Sequence, residues 1–388
     1  MRAKRNLLRS ESEVKVTNVE LFFDLVFVFA VTQLSHNLLE HFSPGGVLQT
    51  GLIFLAVWWV WIYTTWCTNW LNPDLTAVRI MLFALMLAGL VLTTSIPKAF
   101  GPLGLVFACT YAGMQVGRSL FMMWSLRAHS PENYRNFQRI TAWCAVSAMF
   151  WISGGFAEGN TRFALWLIAI AIEYVSPALG FRFPGLGRSS TEDWNVSGEH
   201  LAERVGLFII IALGESILVT GATAAKAPAS VATWGAFFFA FLASVAMWWI
   251  YFNVGAERAA HSIEHSDDPG RIARTAYTYI PLLMIAGIIV AAVGDELVLA
   301  HPTGHVDGKT AICLLVAPAL FLVGTLLFKR VTWGRFPLSH LVGLALLVVA
   351  APFYGAFEPW VYSGITSLIL CIVAAWETFS AAEPSRKT

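Results

Sequence analysis

Long apolar runs of about twenty residues recur along the whole chain, and short polar or turn-forming stretches separate them. A helix that crosses a bilayer needs about 20 mostly apolar residues. Runs of that kind predict helices over 18–38, 47–68, 75–97, 99–125, 138–157, 161–181, 201–222, 231–253, 275–299, 309–328, 337–356 and 359–379. Ser43-Pro44-Gly45-Gly46, Asn72-Pro73-Asp74, Phe183-Pro184-Gly185 and Asp268-Pro269-Gly270 break the pattern between them. The expected fold class is therefore all-α: a polytopic integral membrane protein with about twelve transmembrane helices.

Composition fits that reading. Of 388 residues, 57% are hydrophobic and 13% charged, against about 25% charged in a typical soluble domain. The lipid bilayer is the partner that can cover so much apolar surface. A net charge of +1 offers no global field for phosphates and argues against a nucleic-acid partner. Arg2, Lys4, Arg5, Arg9 and Lys15 flank the first apolar run. No small-residue cleavage site follows that run, so it reads as a retained helix. If the twelve helices alternate in direction, 21 of the 25 Lys and Arg residues fall on the side of both termini. That asymmetry places the termini in the cytoplasm of a multi-pass cell-membrane protein. Cys67, Cys109, Cys144, Cys313 and Cys371 lie in or beside apolar stretches without a CxxC pair, and read as small hydrophobes.

The halves resemble each other. Trp61-Ile62-Tyr63 is matched by Trp249-Ile250-Tyr251, Met86-Leu87-Ala88-Gly89 by Met284-Ile285-Ala286-Gly287, and Ile172-Glu173 by Trp376-Glu377, in the same order. The stretch opening at Glu20 pairs likewise with that opening at Glu203. This predicts two parallel six-helix repeats, over 18–182 and 200–380. A cytoplasmic segment 1–17, a linker 183–199 and a tail 381–388 complete the chain.

Charges inside a bilayer are costly, so they mark candidate chemistry. Glu20 and Asp24 stand i, i+4 on one face of the first helix, and Arg204 or Arg79 is the expected cation between them. Glu215 lies twelve residues beyond Glu203, roughly 18 Å deeper at 1.5 Å per residue. The expected ion or proton pathway is Glu20, Asp24, Glu203, Arg204 and Glu215; the bland alternative is a structural network that registers the halves. Glu173 and Glu377 are repeat-related acids, with Arg118 placed to neutralise one of them. Asp295, Glu296, His301, His305 and Asp307 cluster near one end of the ninth helix, as solvated loop charge or as a metal or proton site. Glu257, His261 and His265 follow an i, i+4, i+8 spacing beside Glu264, Asp267 and Asp268, with the same two readings. Trp58, Trp59, Trp61, Trp66 and Trp70 crowd the second helix, for helix packing and interfacial belts or for an aromatic pocket. Asn195-Val196-Ser197 is a sequon on the expected cytoplasmic side. No P-loop, dinucleotide fingerprint or nucleophile elbow occurs, so no cofactor and no enzymatic activity is expected.

The stretches Val19–His36 and Glu203–Leu218, with Ala276-Tyr277-Thr278-Tyr279, Asp295-Glu296-Leu297 through His301-Pro302, and Pro337-Leu338-Ser339-His340, resemble the bacterial low temperature requirement A family over nearly the whole chain. The resemblance implies a polytopic membrane protein whose family is named for a requirement for growth in the cold. Members often carry an acid and a histidine around the Tyr-Thr-Tyr motif, where Thr275 and Pro281 stand here. Phe22-Phe23-Asp24 also looks like the motif opening each repeat of the lysosomal potassium/proton channel family. The expected function is proton-coupled secondary transport of an unknown small solute or ion. The alternatives are a cation or proton channel-like pore, and a structural or stress-adaptation membrane protein without transport.

Overall fold

The computed structural model describes residues 7–9, 15–189, 196–253 and 269–382. Twelve long helices account for most of them: α1 Asn18–Glu40, α2 Pro44–Trp70, α3 Thr76–Ser95, α4 Gly104–Leu126, α5 Pro131–Phe156, α6 Gly159–Val175, α7 Gly198–Ala224, α8 Val231–Phe252, α9 Pro281–Ala300, α10 Gly308–Trp333, α11 Leu338–Ala350 and α12 Pro359–Ala382. Only isolated bridges, not strands, occur among the described residues. Lipid offers no hydrogen bonds, so backbone groups must be satisfied within each segment, and helices do this. Among the described residues, nine segments are long and apolar enough to cross a membrane: α1, α2, α3 with its 3-10 extension, α7, α8, Gly270–Ala300, α10, α11 with its extension, and α12. The other three are short or polar in part. α6 has 17 residues, α4 carries Gln115 and Arg118, and the first turns of α5 carry Glu132, Arg135 and Arg139.

Local chemistry sets the helix ends. Ser43, read as part of a break, is the N-cap of α2: its hydroxyl accepts the amide of Gly46 at 3.1 Å, and Pro44 takes the first helical position. Pro131 starts α5 seven residues ahead of its apolar run, and α6 ends at Val175, short of the expected 181. The expected ninth helix is interrupted. Pro281 has no N–H to give to the turn before it, and Arg274–Tyr279, which includes the Tyr-Thr-Tyr motif, winds as a π-helix ahead of α9. α10 closes on Gly334 in the left-handed conformation (φ 72°), with Arg330 donating to its carbonyl at 2.6 Å.

The chain divides into two compact units, Met1–Leu201 with Asp268–Arg271 and Ala202–Asp267 with Ile272–Thr388. In the first unit, α4 packs along α5 and α5 along α6, α3 lies against α1 and α4, and α2 touches α1, α4 and α6. Trp58, Trp59, Trp61, Trp151 and Trp166 are fully buried, so these indoles fill the helix contacts and form no interfacial belt. In the second unit, the closest pairs are α9 with α10 and α8 with α12, while α11 rests on α12 and α10. Glycine permits the α9–α10 approach. A Cβ on Gly287 would stand 2.8 Å from the carbonyl oxygen of Ala317, and one on Gly324 would stand 3.0 Å from the amide of Met284. Leu87, Phe156, Val348 and Phe379 face outward, as lipid-covered helices require.

Candidate functional site

Glu20 and Asp24 of α1 are both fully buried, but each has its own partners. Glu20 is the third residue of α1 and closes a capping box on Thr17, accepting its amide and its hydroxyl, each at 2.9 Å. Its carboxylate also takes Arg9 Nη2 at 3.2 Å and His200 Nε2 at 2.9 Å. Asn69 pairs both ends of its amide with the Ser197 backbone, at 2.9 and 3.0 Å, and turns Nδ2 toward His200 Nδ1 at 3.2 Å. His200 Nδ1 is thereby held as an acceptor, and the ring proton sits on Nε2, facing Glu20. Asp24 accepts the Trp61 indole N–H at 2.8 Å. Arg79, the second cation expected for these acids after Arg204, lies exposed with Asp74 at 3.4 Å. Arg9, which precedes the first apolar run, is a cation on Glu20. Its position follows from backbone pairing: Arg9 N donates to Trp70 O at 2.8 Å, and Asn72 N to Leu7 O at 2.9 Å.

Along α7, Arg204 is fully buried, Glu215 is buried, and Glu203 is exposed. Glu203 is therefore separated by burial from the acids with which it was grouped. Ser216, beside Glu215, has a buried hydroxyl without a partner. Thr220, one turn on, reaches Asp295 Oδ2 of α9 at 3.5 Å.

Two further polar clusters belong to the last helix of each unit. Glu173 of α6 is buried and accepts Ser147 Oγ at 2.6 Å, Trp151 Nε1 at 3.2 Å and the hydroxyl of Tyr111. Tyr111 accepts Gln115 Nε2 at 3.0 Å, and the Gln115 carbonyl accepts Arg118 Nη2. Arg118 also donates to Val60 O and Thr64 Oγ1 of α2, both at 3.0 Å. It reaches Glu173 through two neutral side chains, not by the direct neutralisation expected.

Glu377 of α12 is paired directly. Lys329 Nζ of α10 donates to its Oε2, and also approaches Ile250 O of α8 at 3.4 Å. His340 Nδ1 and Ser339 Oγ of α11 stand 3.3 and 3.5 Å from Oε1. His340 is fully buried, and its Nε2 has no partner among the described residues. Tyr251 of α8 and Tyr277 of the π-helical turn likewise bury hydroxyls without partners, and both rings contact Phe328, next to Lys329. Lys329 lies one residue past the apolar run expected to end at 328; α10 continues to Trp333 and carries it inside. Arg162 is also buried, and donates to five carbonyls, of Ala99, Gly101, Gly154, Gly155 and Ala157.

The cluster expected near the end of α9 does not assemble. Asp295 is buried, Glu296 half-buried, and His301 and His305 exposed. Asp307 is the N-cap of α10, accepting Thr310 N at 2.8 Å. No group of three His, Cys, Asp or Glu side chains is placed to hold a metal among the described residues. The Thr310 hydrogen bond, helped by Lys309 and His301, holds the Asp307 carboxyl below its usual range. A depressed folded-state pKa contributes stability above the unfolded value, lost as pH falls through the folded one. Asp307→Ala is expected to cost about 1 kcal/mol at neutral pH. The gap from wild type should narrow below about pH 4, as unfolding midpoints between pH 6 and pH 3 would record. Glu257, His261, His265, Glu264, Asp267, Asp268 and Asn195 lie outside the described residues.

No solved structure matches the chain. An uncharacterized protein of Rhizobium meliloti (strain 1021) is 42% identical over 372 residues, covering 95% of this chain and 91% of the relative. The profile of the bacterial low temperature requirement A protein (LtrA) matches residues 15–375. A match of that extent makes this chain a membrane protein of the LtrA family.

Proposed function

We propose that the protein is a proton-coupled secondary transporter of a small solute or ion, in which Glu377, Lys329 and His340 bind and release the coupling proton. The observation that carries this reading is the buried carboxylate between an ammonium and an imidazole whose second nitrogen has no partner. A proton arriving on Glu377 weakens its hold on Lys329, so protonation and side-chain arrangement are linked. A buried polar atom without a partner costs about 1–3 kcal/mol. Water or a passing solute at His340 Nε2 removes that cost. Within the first unit Glu20 and Asp24, and within the second Arg204 and Glu215, are further buried polar residues proposed to take part in ion or proton movement; Glu203, being exposed, is not. In this reading the chain is a passage and not a catalyst.

All twelve long helices cross the membrane in this proposal, as two six-helix repeats with both termini in the cytoplasm. The polar residues that set α4 and α6 apart point inward and bond to neighbours, which is how such residues are tolerated in a bilayer. Recurrence of one arrangement supports the duplication. The last helix of each unit supplies a buried acid, the fifth a serine beside it, and the fourth a cation that also bonds a carbonyl of the second. With Arg118, Arg204, Lys329 and Arg162 set aside as buried, the loop charges keep their bias toward one side.

Liposomes loaded with a pH-sensitive dye and containing the full chain test the reading. Under imposed sodium, potassium or amino-acid gradients, wild type is expected to move protons and Glu377→Gln to lose at least about tenfold in rate. Equal rates in both, or no proton movement under any gradient, would refute it.

A further inference from the structure

A second polar site lies away from these clusters, where α5 begins. Pro131, Glu132, Asn133, Arg135, Asn136, Arg139, Arg188 and Ser189 line a hollow of about 360 Å³. Three of the four charged side chains are guanidinium groups. The first turn of α5 adds to their field. No side chain caps it, so the amides of Glu132 and Asn133 have no carbonyl within the helix, and a 26-residue helix directs its positive end here. Asn136 is buried, and its Oδ1 accepts Ser189 Oγ.

The wall is built, not incidental. The chain after α6 turns back at Gly180, which is left-handed (φ 60°) and whose carbonyl accepts Ser189 N at 2.7 Å. A Cβ on Gly180 would meet the Ser189 oxygen at 2.6 Å. Arg139 fixes the returning strand, donating to Leu186 O at 2.7 Å and Ser189 Oγ at 3.0 Å. Arg135 and Arg188 stand exposed at the rim, with no acid among the described residues bonded to either.

We infer that this hollow binds a phosphate group, carried by an anionic lipid headgroup or as free phosphate. Planar guanidinium forks match phosphate oxygens two at a time, and a helix N-terminus with open amides favours the same charge. The site is independent of the transport reading.

The test uses the full chain purified in a non-ionic maltoside, with its thermal midpoint followed against added dioctanoyl phosphatidic acid, dioctanoyl phosphatidylcholine or inorganic phosphate. The expected result is a saturable rise with phosphatidic acid and none with phosphatidylcholine. In Arg135→Gln/Arg188→Gln, apparent affinity should fall about tenfold or more, with the ligand-free midpoint unchanged. A response to phosphatidic acid without one to phosphate identifies the lipid; an equal response to inorganic phosphate identifies the free anion. Absence of any response in wild type, or the same response in the double variant, overturns the site.

Discussion

Lys329→Met is expected to lower the stability of the protein by about 3–5 kcal/mol, because it removes the cation and leaves Glu377 buried among neutral groups. Lys329 is 1% exposed and bonded to Glu377, so neither partner can turn to water. The companion variant makes the test specific. Lys329→Met/Glu377→Met removes both charges and fills similar volume, and should recover most of the loss, as replaced buried pairs often do. Unfolding midpoints of the two single variants and the double variant form a cycle whose coupling term measures the pair. Near-zero coupling would show that Lys329 and Glu377 do not share a site. The cycle also separates stability from transport, since the double variant should stand up to heat and yet move no protons.

Arg162→Ala has the second large expected effect, about 3 kcal/mol or more of stability. The guanidinium of Arg162 is buried and bonds carbonyls in the turn after α3 and at the end of α5. Gly101 O and Gly154 O each also accept a backbone amide, from Gly104 and Ala157, but without the arginine all five acceptors lose a charge-assisted bond. The lysine variant is the control. One ammonium cannot span acceptors that the planar fork reaches together, so Arg162→Lys should restore less than half of the loss. Heat-induced aggregation of the solubilised chain, followed for the three proteins, checks the order wild type, lysine, alanine.

Most of the helix plan was legible in the sequence because lipid imposes one rule on every segment. A spanning helix must be apolar for about twenty residues, and α1, α3, α8, α10 and α12 announce themselves so. What escaped were features decided by single side chains. Pro281 breaks a continuous apolar run that no hydropathy window would divide. Ser43 and Pro131 extend helices into stretches whose composition reads as loop. The acids Glu173, Glu377, Asp24 and Glu215 stood out by the cost of burying them. Their partners did not, because Lys329 and Arg9 sit at the margins of apolar runs, where positive charge is ordinary. The Thr17–Glu20 capping box was readable from a threonine three residues ahead of a glutamate, a signal overlooked beside the more conspicuous pair of acids. Tyr111, Gln115 and Ser147 gave no signal at all, since neutral polar residues inside a helix acquire meaning only when three helices bring them to one carboxylate.

Infrared difference spectroscopy of the reconstituted full chain, cycled between mildly acid and mildly alkaline buffer, reports whether Glu377 exchanges a proton while sunk in the bundle. A protonated-carboxyl band that grows on acidification in wild type and vanishes in Glu377→Gln is the predicted result. A difference spectrum in that region identical in the two proteins would contradict it.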